Sequence, residues 1–320
     1  MTYARTRDFR SGCWVFFLLA FAAALSCSPD RARAQGDGAR TYQLAPADTH
    51  LLTVFGIFDR SNQTTEDGIV FRGQTFDLNQ VILRYAHPIS IYGSAANVFG
   101  LLPIGEVTGA IHGDGLVLQG RTSSGIGDIT IGGWFGLIGS PSLAPEEFAT
   151  YKPGFSFAFL PKITASTGDY SSSRIVNFGA NRWAFKLGFP IAYALGETLL
   201  DPELTTLEIL PSVAFFTPNN DPFNANKVQQ APLYTVEAHI TRNLNRVFWI
   251  SVDGFYTHGG ATTIDGIDNR NPEVSLGLGG TLGVTVSSNF FLKFTYGQIV
   301  ARNSNGLEGR AIRLVAATAF

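Results

Sequence analysis

Alternation with a period of two residues constrains this chain more than any other feature. Trp183, Phe185, Leu187, Phe189, Ile191 and Tyr193 fall on one face, and Arg182, Ala184, Lys186, Gly188, Pro190 and Ala192 on the other. Side chains at i and i+2 share a face in an extended strand, so this stretch reads as a strand with one aromatic face and one small or charged face. The pattern recurs along the chain. Phe155, Phe157, Phe159 and Ile163 oppose Ser156, Ala158 and Lys162, while Ile129, Ile131, Phe135 and Leu137 oppose Asp128, Thr130, Gly132 and Trp134. Val236 and Ile240 oppose Thr235, Glu237, His239 and Thr241. Val274, Leu276, Leu278, Leu282 and Val284 oppose Ser275, Gly277, Gly279, Thr281 and Thr285, and Phe290, Leu292, Phe294 and Tyr296 oppose Lys293 and Thr295. Ile312 and Leu314 flank Arg313 before the chain reaches Phe320.

About twelve such segments can be counted, near 48–59, 77–88, 95–104, 127–138, 154–164, 181–194, 205–216, 233–242, 247–257, 273–286, 290–299 and 311–320. Each approaches the roughly 9 to 11 residues that a tilted strand needs to cross a bilayer. The connections alternate in length. Those near 60–76, 105–126, 165–180, 217–232, 258–272 and 300–310 are long and rich in Gly, Asn, Asp and Ser, and those between are mostly short, such as 243–246 and 287–289. Short turns on one side and long loops on the other are the habit of bacterial outer-membrane barrels. The exception is 139–152, where room exists for a helical turn.

A soluble sandwich also produces alternation, because one face is buried and the other wetted. Three features favour a barrel: the apolar faces are unusually aromatic, the opposite faces are small or glycine-rich, and loop lengths alternate throughout. Composition agrees. Charged residues make up 15%, against roughly 25% in ordinary soluble domains, and 35 Gly, 26 Phe and a single Met suit strands better than helices. Beyond the first residues no window nears the roughly 18 consecutive apolar residues of a transmembrane helix, and within lipid only a closed sheet satisfies every backbone group.

The N-terminus sets the compartment. Arg5, Arg7 and Arg10 precede an apolar run from Cys13 to Leu25, and the small-x-small site Ala32-Arg33-Ala34 comes before Gln35. This order predicts a cleaved secretory signal over 1–34 and a barrel domain over 35–320. A second processing reading puts a lipidated Cys27 after Ala24-Leu25-Ser26, so signal peptidase I and lipoprotein processing both stay open. The two cysteines, Cys13 and Cys27, lie within this leader. A chain starting at Gln35 has no thiol, which excludes disulfides and thiolate metal sites.

The inward faces supply the candidate solute path: Arg84, Asp128, Lys162, Arg182, Lys186, Glu208, Glu237, His239, Asp253, Lys293 and Arg313. Charges of both signs exclude a simple anion or cation filter, and a barrel of this size either leaves a narrow polar lumen or fills it with paired charges. Enzyme chemistry is not legible. His239 and Glu237 share a strand face and His258 stands beside Thr257, but neither has a placed serine and no Gly-x-Ser-x-Gly elbow occurs. Asp265-Gly266-Ile267-Asp268-Asn269 and Asn219-Asn220-Asp221 offer oxygen ligands, yet neither matches a calcium loop and turn chemistry explains both. No metal site or cofactor is expected. A basic run with interleaved aromatics is missing, so nucleic acid is not an expected partner.

From about Gly125 to Thr263 a set of segments stands out: Gly125-Ile126-Gly127-Asp128, Thr167-Gly168-Asp169-Tyr170, Asn177-Phe178-Gly179-Ala180-Asn181-Arg182-Trp183, Phe215-Phe216-Thr217-Pro218-Asn219-Asn220-Asp221, and Tyr256-Thr257-His258-Gly259-Gly260 with Thr262-Thr263. Their order and spacing resemble the transporter-like outer-membrane proteins linked to the meta-pathway of phenol degradation. The resemblance implies an outer-membrane barrel that takes up aromatic or other hydrophobic compounds, and it brings no catalytic residue. On the strand assignment all five segments fall at the loop ends of strands, on one rim. Asp128, Arg182 and Asp221 are the solute-selecting candidates there, against a reading in which Gly, Asn and Asp make turns and Trp183 anchors at the membrane interface.

The expectation is an all-β, up-and-down antiparallel transmembrane barrel of about twelve strands in the outer membrane of a Gram-negative bacterium. It would pass small aromatic or hydrophobic compounds by passive diffusion, with membrane lipid, a small-molecule solute and the barrel-assembly machinery, reached through Phe320, as partners. The alternative is a closed structural or surface-interaction barrel that binds a partner through its outer loops.

Overall fold

The computed structural model describes residues 36–64, 68–113 and 116–320, with side chains set aside over 110–120; the expected leader, 1–34, lies outside the described residues. The strands are β1 (Leu51–Ser61), β2 (Thr75–Ile91), β3 (Ser94–Gly113), β4 (Leu116–Ile126), β5 (Thr130–Ile138), β6 (Phe155–Thr164), β7 (Ala184–Gly188), β8 (Ile191–Leu195), β9 (Thr205–Phe216), β10 (Val228–Gln230), β11 (Leu233–Asn243), β12 (Phe248–Gly259), β13 (Thr262–Ile264), β14 (Ile267–Asp268), β15 (Glu273–Ser287), β16 (Phe290–Arg302) and β17 (Gly309–Ala319). Neighbours in sequence pair antiparallel around a closed barrel of 12 strand positions, sealed where β1 meets β17 from Leu51↔Ala319 to Ser61↔Gly309. Strands β4 and β5 share one position, both pairing β3. Likewise β7 and β8 share the position between β6 and β9.

The expected segments coincide with these strands to within a few residues, with two informative differences. The sixth segment is split at Phe189-Pro190, because proline has no N–H to donate to a ladder; the Phe189 amide turns instead to the Pro211 carbonyl at 3.0 Å. The connection near 105–126, expected as a loop, is mostly strand. There β3 runs on to Gly113 and β4 returns beside it. Gly105, Gly109, Ser123 and Gly125 made the stretch read as turn chemistry although they lie on the inner face, and the outer face carries Glu106, Thr122 and Ser124 where an apolar residue would have marked a strand. A short helix, α1 (Pro145–Thr150), fills the long connection on the turn side. On the loop side β10, β13 and β14 form a separate three-stranded sheet.

Outward-facing residues make a continuous apolar wall. Leu52, Phe58, Tyr85, Ile131, Leu137, Phe155, Ile163, Trp183, Phe185, Tyr193, Ile240 and Phe294 are all exposed. Such a surface far exceeds the apolar patch a soluble monomer tolerates. In hydrocarbon it is matched, and the closed sheet leaves no edge to be satisfied. No described helix is long and apolar enough to cross a membrane.

Inside, the wall is layered. Toward the turn end Ala86, Ala95, Phe99, Trp134, Ala158, Leu160 and Leu210 pack together with Tyr42 and Leu44. At the loop end Val176 and Phe178 fold in from the connection after β6 onto Phe76, Leu78 and Val107. Polar and charged residues fill the space between. Glycines on this inner face are spaces for larger neighbours: a Cβ on Gly283 would lie 1.9 Å from the Trp249 indole, which rests flat across it.

Candidate functional site

The lumen is occupied by the chain itself. Residues 36–44 precede β1, enter from the turn end and run up inside the barrel. Their entry is fixed by backbone bonds from Ala47 N to Leu143 O at 2.9 Å and from His50 N to Phe320 O at 2.9 Å. The segment is folded tightly on itself. Thr41 donates its hydroxyl toward the Asp37 and Gly38 carbonyls, and Tyr42 donates to Asp37 Oδ2 at 2.5 Å. Gly38 takes φ +92°, a conformation open to glycine at no steric cost. A Cβ on Gly36 would overlap the Glu237 carboxylate.

Wall residues hold this segment mainly through its backbone. Arg313 donates to the Gly36 carbonyl at 2.7 Å and the Asp37 carbonyl at 3.2 Å, and Lys293 to the Ala39 carbonyl at 2.8 Å. Glu208 accepts from the Arg40 amide at 2.8 Å, and Glu237 from the Gly38 amide at 3.3 Å. The Arg40 side chain lies 4.4 Å over the Trp249 ring and donates to Thr241 and Asn243. Burial pushes the Arg40 guanidinium down to about 10, against the opposing charge of Glu208. Asp37 pairs with Lys162 at 2.5 Å. Burial alone would raise its pKa; the charges of Lys162 and Lys186, with hydrogen bonds from Lys162 and Tyr42, overcome this and hold the carboxyl well below the usual carboxylate range.

Five of the eleven inward candidates, Lys162, Glu208, Glu237, Lys293 and Arg313, therefore converge on residues 36–43. His239 and Asp253 form a second group. His239 Nδ1 meets Asp253 Oδ1 at 2.7 Å, Ser251 and Thr281 also donate to Asp253, and Glu237 lies 3.8 Å from His239 Nε2. The serine hydroxyl is turned to the aspartate, not to the imidazole, so the trio is a packed hydrogen-bond network in the wall. Arg84 lies 4.7 Å over the Phe99 ring and Arg182 4.3 Å over Phe216. Lys186 is the register partner of Lys162 across β6 and β7.

Asp128 borders the same cavity as Lys162, Arg182 and Lys186, but its carboxylate is committed to backbone. Its Oδ1 accepts the amides of Thr167 at 3.0 Å and Gly168 at 2.8 Å, and its Oδ2 that of Ala180 at 2.8 Å. Asp169 Oδ2 accepts the Ile126 amide at 2.8 Å, and Gly168 and Gly179 touch backbone to backbone. Tyr170 donates to the Asp221 carbonyl at 2.9 Å, while Asn181 reaches Asn219 at 2.9 Å. Four of the five recurring segments are thus knotted together on the loop-side rim, with their carboxylates used as caps for backbone N–H groups. Residues 36–44 carried no sequence signal as a lumen element: Gly36-Asp37-Gly38-Ala39-Arg40 lacks alternation and resembles a polar tail.

Against known proteins, the family model described as "Putative MetA-pathway of phenol degradation" matches residues 58–314. Among solved structures the chain is similar to an outer membrane channel from Pseudomonas putida, with a TM-score of 0.72 at 18% identity over 89% of this chain and 100% of that one. It is also similar to the beta domain of a Bordetella autotransporter, with a TM-score of 0.51 at 11% identity over 86% of this chain and 100% of that one. No curated protein matches by sequence. The structural likenesses establish a shared outer-membrane barrel fold, and the family match extends across most of the barrel from β1 to β17. The chain belongs to the family described as "Putative MetA-pathway of phenol degradation".

Proposed function

We propose that this barrel lies in the Gram-negative outer membrane, is exported with loss of its leader, and passes small aromatic or other hydrophobic compounds by passive diffusion. Residues 36–44 are the movable obstruction. The observation that carries this reading is that the segment occupies the lumen without joining the sheet: its partners are side chains of the wall, so it can leave without breaking a strand ladder. The charged belt then serves two states, gripping the segment when closed and lining a polar passage when open. The family's description supports aromatic compounds as cargo, and the reading involves no covalent step.

Uptake of labelled toluene by cells with and without the gene tests it. Slower uptake in the deletion strain, restored by the wild-type chain, is expected. Equal rates with and without the protein would remove the transport reading.

One observation favours a closed, surface-interaction barrel instead: Val176 and Phe178 cover the loop end from inside, and β10, β13 and β14 give the outer loops an ordered platform. That reading requires function to be lost on replacing residues 217–232 and 258–272 and to survive charge removal in the lumen.

A further inference from the structure

Lys162 and Lys186 face the lumen as direct register partners on β6 and β7. Like charges directly opposite one another destabilise a sheet, and their side chains start only about 5 Å apart. A wall that keeps such a pair has an anion between or against it. Here the anion is Asp37 of the lumen segment: its carboxylate sits on Lys162, and the charge of Lys186 acts on it. The same two lysines and Asp37 line a cavity of about 120 Å³, whose wall combines polar side chains (Arg182, Gln80, Asp128, Thr130, Thr164) with an apolar part formed by Ile82, Leu101, Phe178 and Phe216. An engineered apolar cavity of ~150 Å³ accepts benzene; this space is of the same order, and Phe178 and Phe216 give a ring one apolar side to lie against. Two features therefore adjoin: a place for a ring, and a lysine pair whose resident carboxylate belongs to the segment that closes the lumen.

We infer that the Lys162–Lys186 pair is a carboxylate-binding site for a single-ring aromatic acid, and that such a ligand replaces Asp37 and dislodges residues 36–44. This rests on the transport reading above and narrows its substrate class. The ring lies in the cavity beside Phe178 and Phe216 while the carboxylate takes the two ammonium groups. Asp37, released from both, loses its anchor against the wall. No bond is made or broken; one carboxylate exchanges for another. A neutral ring lacks the competing charge, and a small anion without a ring lacks the apolar contact.

The test uses benzoate as probe, with benzyl alcohol and acetate as the ring-only and charge-only controls. Binding to the refolded chain starting at Gln35 is measured by calorimetry, and exposure of the segment by maleimide labelling of an Ala39→Cys variant. Benzoate is expected to bind saturably and speed labelling at least tenfold, with neither control doing so. Asp37→Asn, which removes the internal competitor and lies outside the barrel wall, should tighten benzoate at least tenfold, and Lys186→Met should abolish binding. Equal responses to benzyl alcohol or to acetate overturn the inference, as does an Asp37→Asn affinity no tighter than wild type. A chain lacking residues 36–44 separates the two levels. If it folds but passes no solute, the transport reading itself falls; if it passes solutes while the intact chain ignores benzoate, only the carboxylate site falls.

Discussion

Removing the Arg313 side chain should loosen the lumen segment without disturbing the barrel. Arg313 projects inward from β17 and donates to two carbonyls of the segment, Gly36 at 2.7 Å and Asp37 at 3.2 Å. A hydrogen bond from a charged donor is worth about 1.5 to 3 kcal/mol, and truncation leaves both buried carbonyls short of a partner. Taking the lower value for each bond gives ~3 kcal/mol, and since ~1.4 kcal/mol is tenfold in an equilibrium constant, the undocked population should rise ~100-fold. An Ala39→Cys variant reports this directly, because a chain starting at Gln35 has no other cysteine and Ala39 is buried while the segment is docked. If docking is fast relative to labelling, the maleimide rate scales with the undocked fraction. Arg313→Ala should accelerate labelling by about that factor, while Arg310→Ala, exposed on the same strand, should leave it alone. Unchanged labelling in a folded Arg313→Ala barrel would refute the reasoning, since the two bonds would then contribute nothing to docking.

Other perturbations probe other parts of the structure. Gly283→Val places a Cβ 1.9 Å from the Trp249 indole, and overpacking of this kind costs ~1 to 3 kcal/mol, to be read as a lower urea midpoint of the refolded barrel. Asp128→Ala removes the acceptor for three rim amides; hydrogen exchange at Thr167, Gly168 and Ala180 should speed markedly while the strands stay protected. Phe294→Arg puts a charge on the outer wall, where the side chain is exposed to lipid, and should cost ~2 to 4 kcal/mol near the bilayer midplane, measured by unfolding in vesicles. The Asp37 carboxyl, held below its ordinary value of 3.8, contributes docking stability that is present above that value and is lost as pH falls through its lowered docked-state value. Tryptophan emission, with Trp249 stacked under Arg40, should therefore stay constant from neutral pH down through the carboxylate range and change only in stronger acid.

The wall was largely legible in the sequence because each lipid-facing strand repeats one physical rule. Trp183, Phe185, Leu187, Phe189 and Tyr193 are exposed outward, and Lys186 and Arg182 buried inward, as alternation requires. Alternation fails where a strand's outer residues are not apolar, which is why Gly105 to Ile126 read as a loop although it pairs as strand. Four of the five rim segments meet in the structure, and there the carboxylates of Asp128 and Asp169 serve backbone amides. The lumen segment was not legible at all. Periodicity describes a residue's relation to its own strand, and Asp37 and Arg40 act through partners more than a hundred residues away, such as Lys162 and Thr241. Lys162 and Lys186 were identified as inward charges singly; that they stand opposite one another follows only from the register.

Solute passage governed by residues 36–44 is tested most directly by single-channel conductance of the refolded barrel in planar bilayers, with and without that segment. The intact chain is expected to show rare, small openings, and the chain lacking residues 36–44 discrete, sustained steps that shift on Lys186→Ala. A folded, heat-modifiable barrel that stays electrically silent after the segment is removed would contradict a gated lumen.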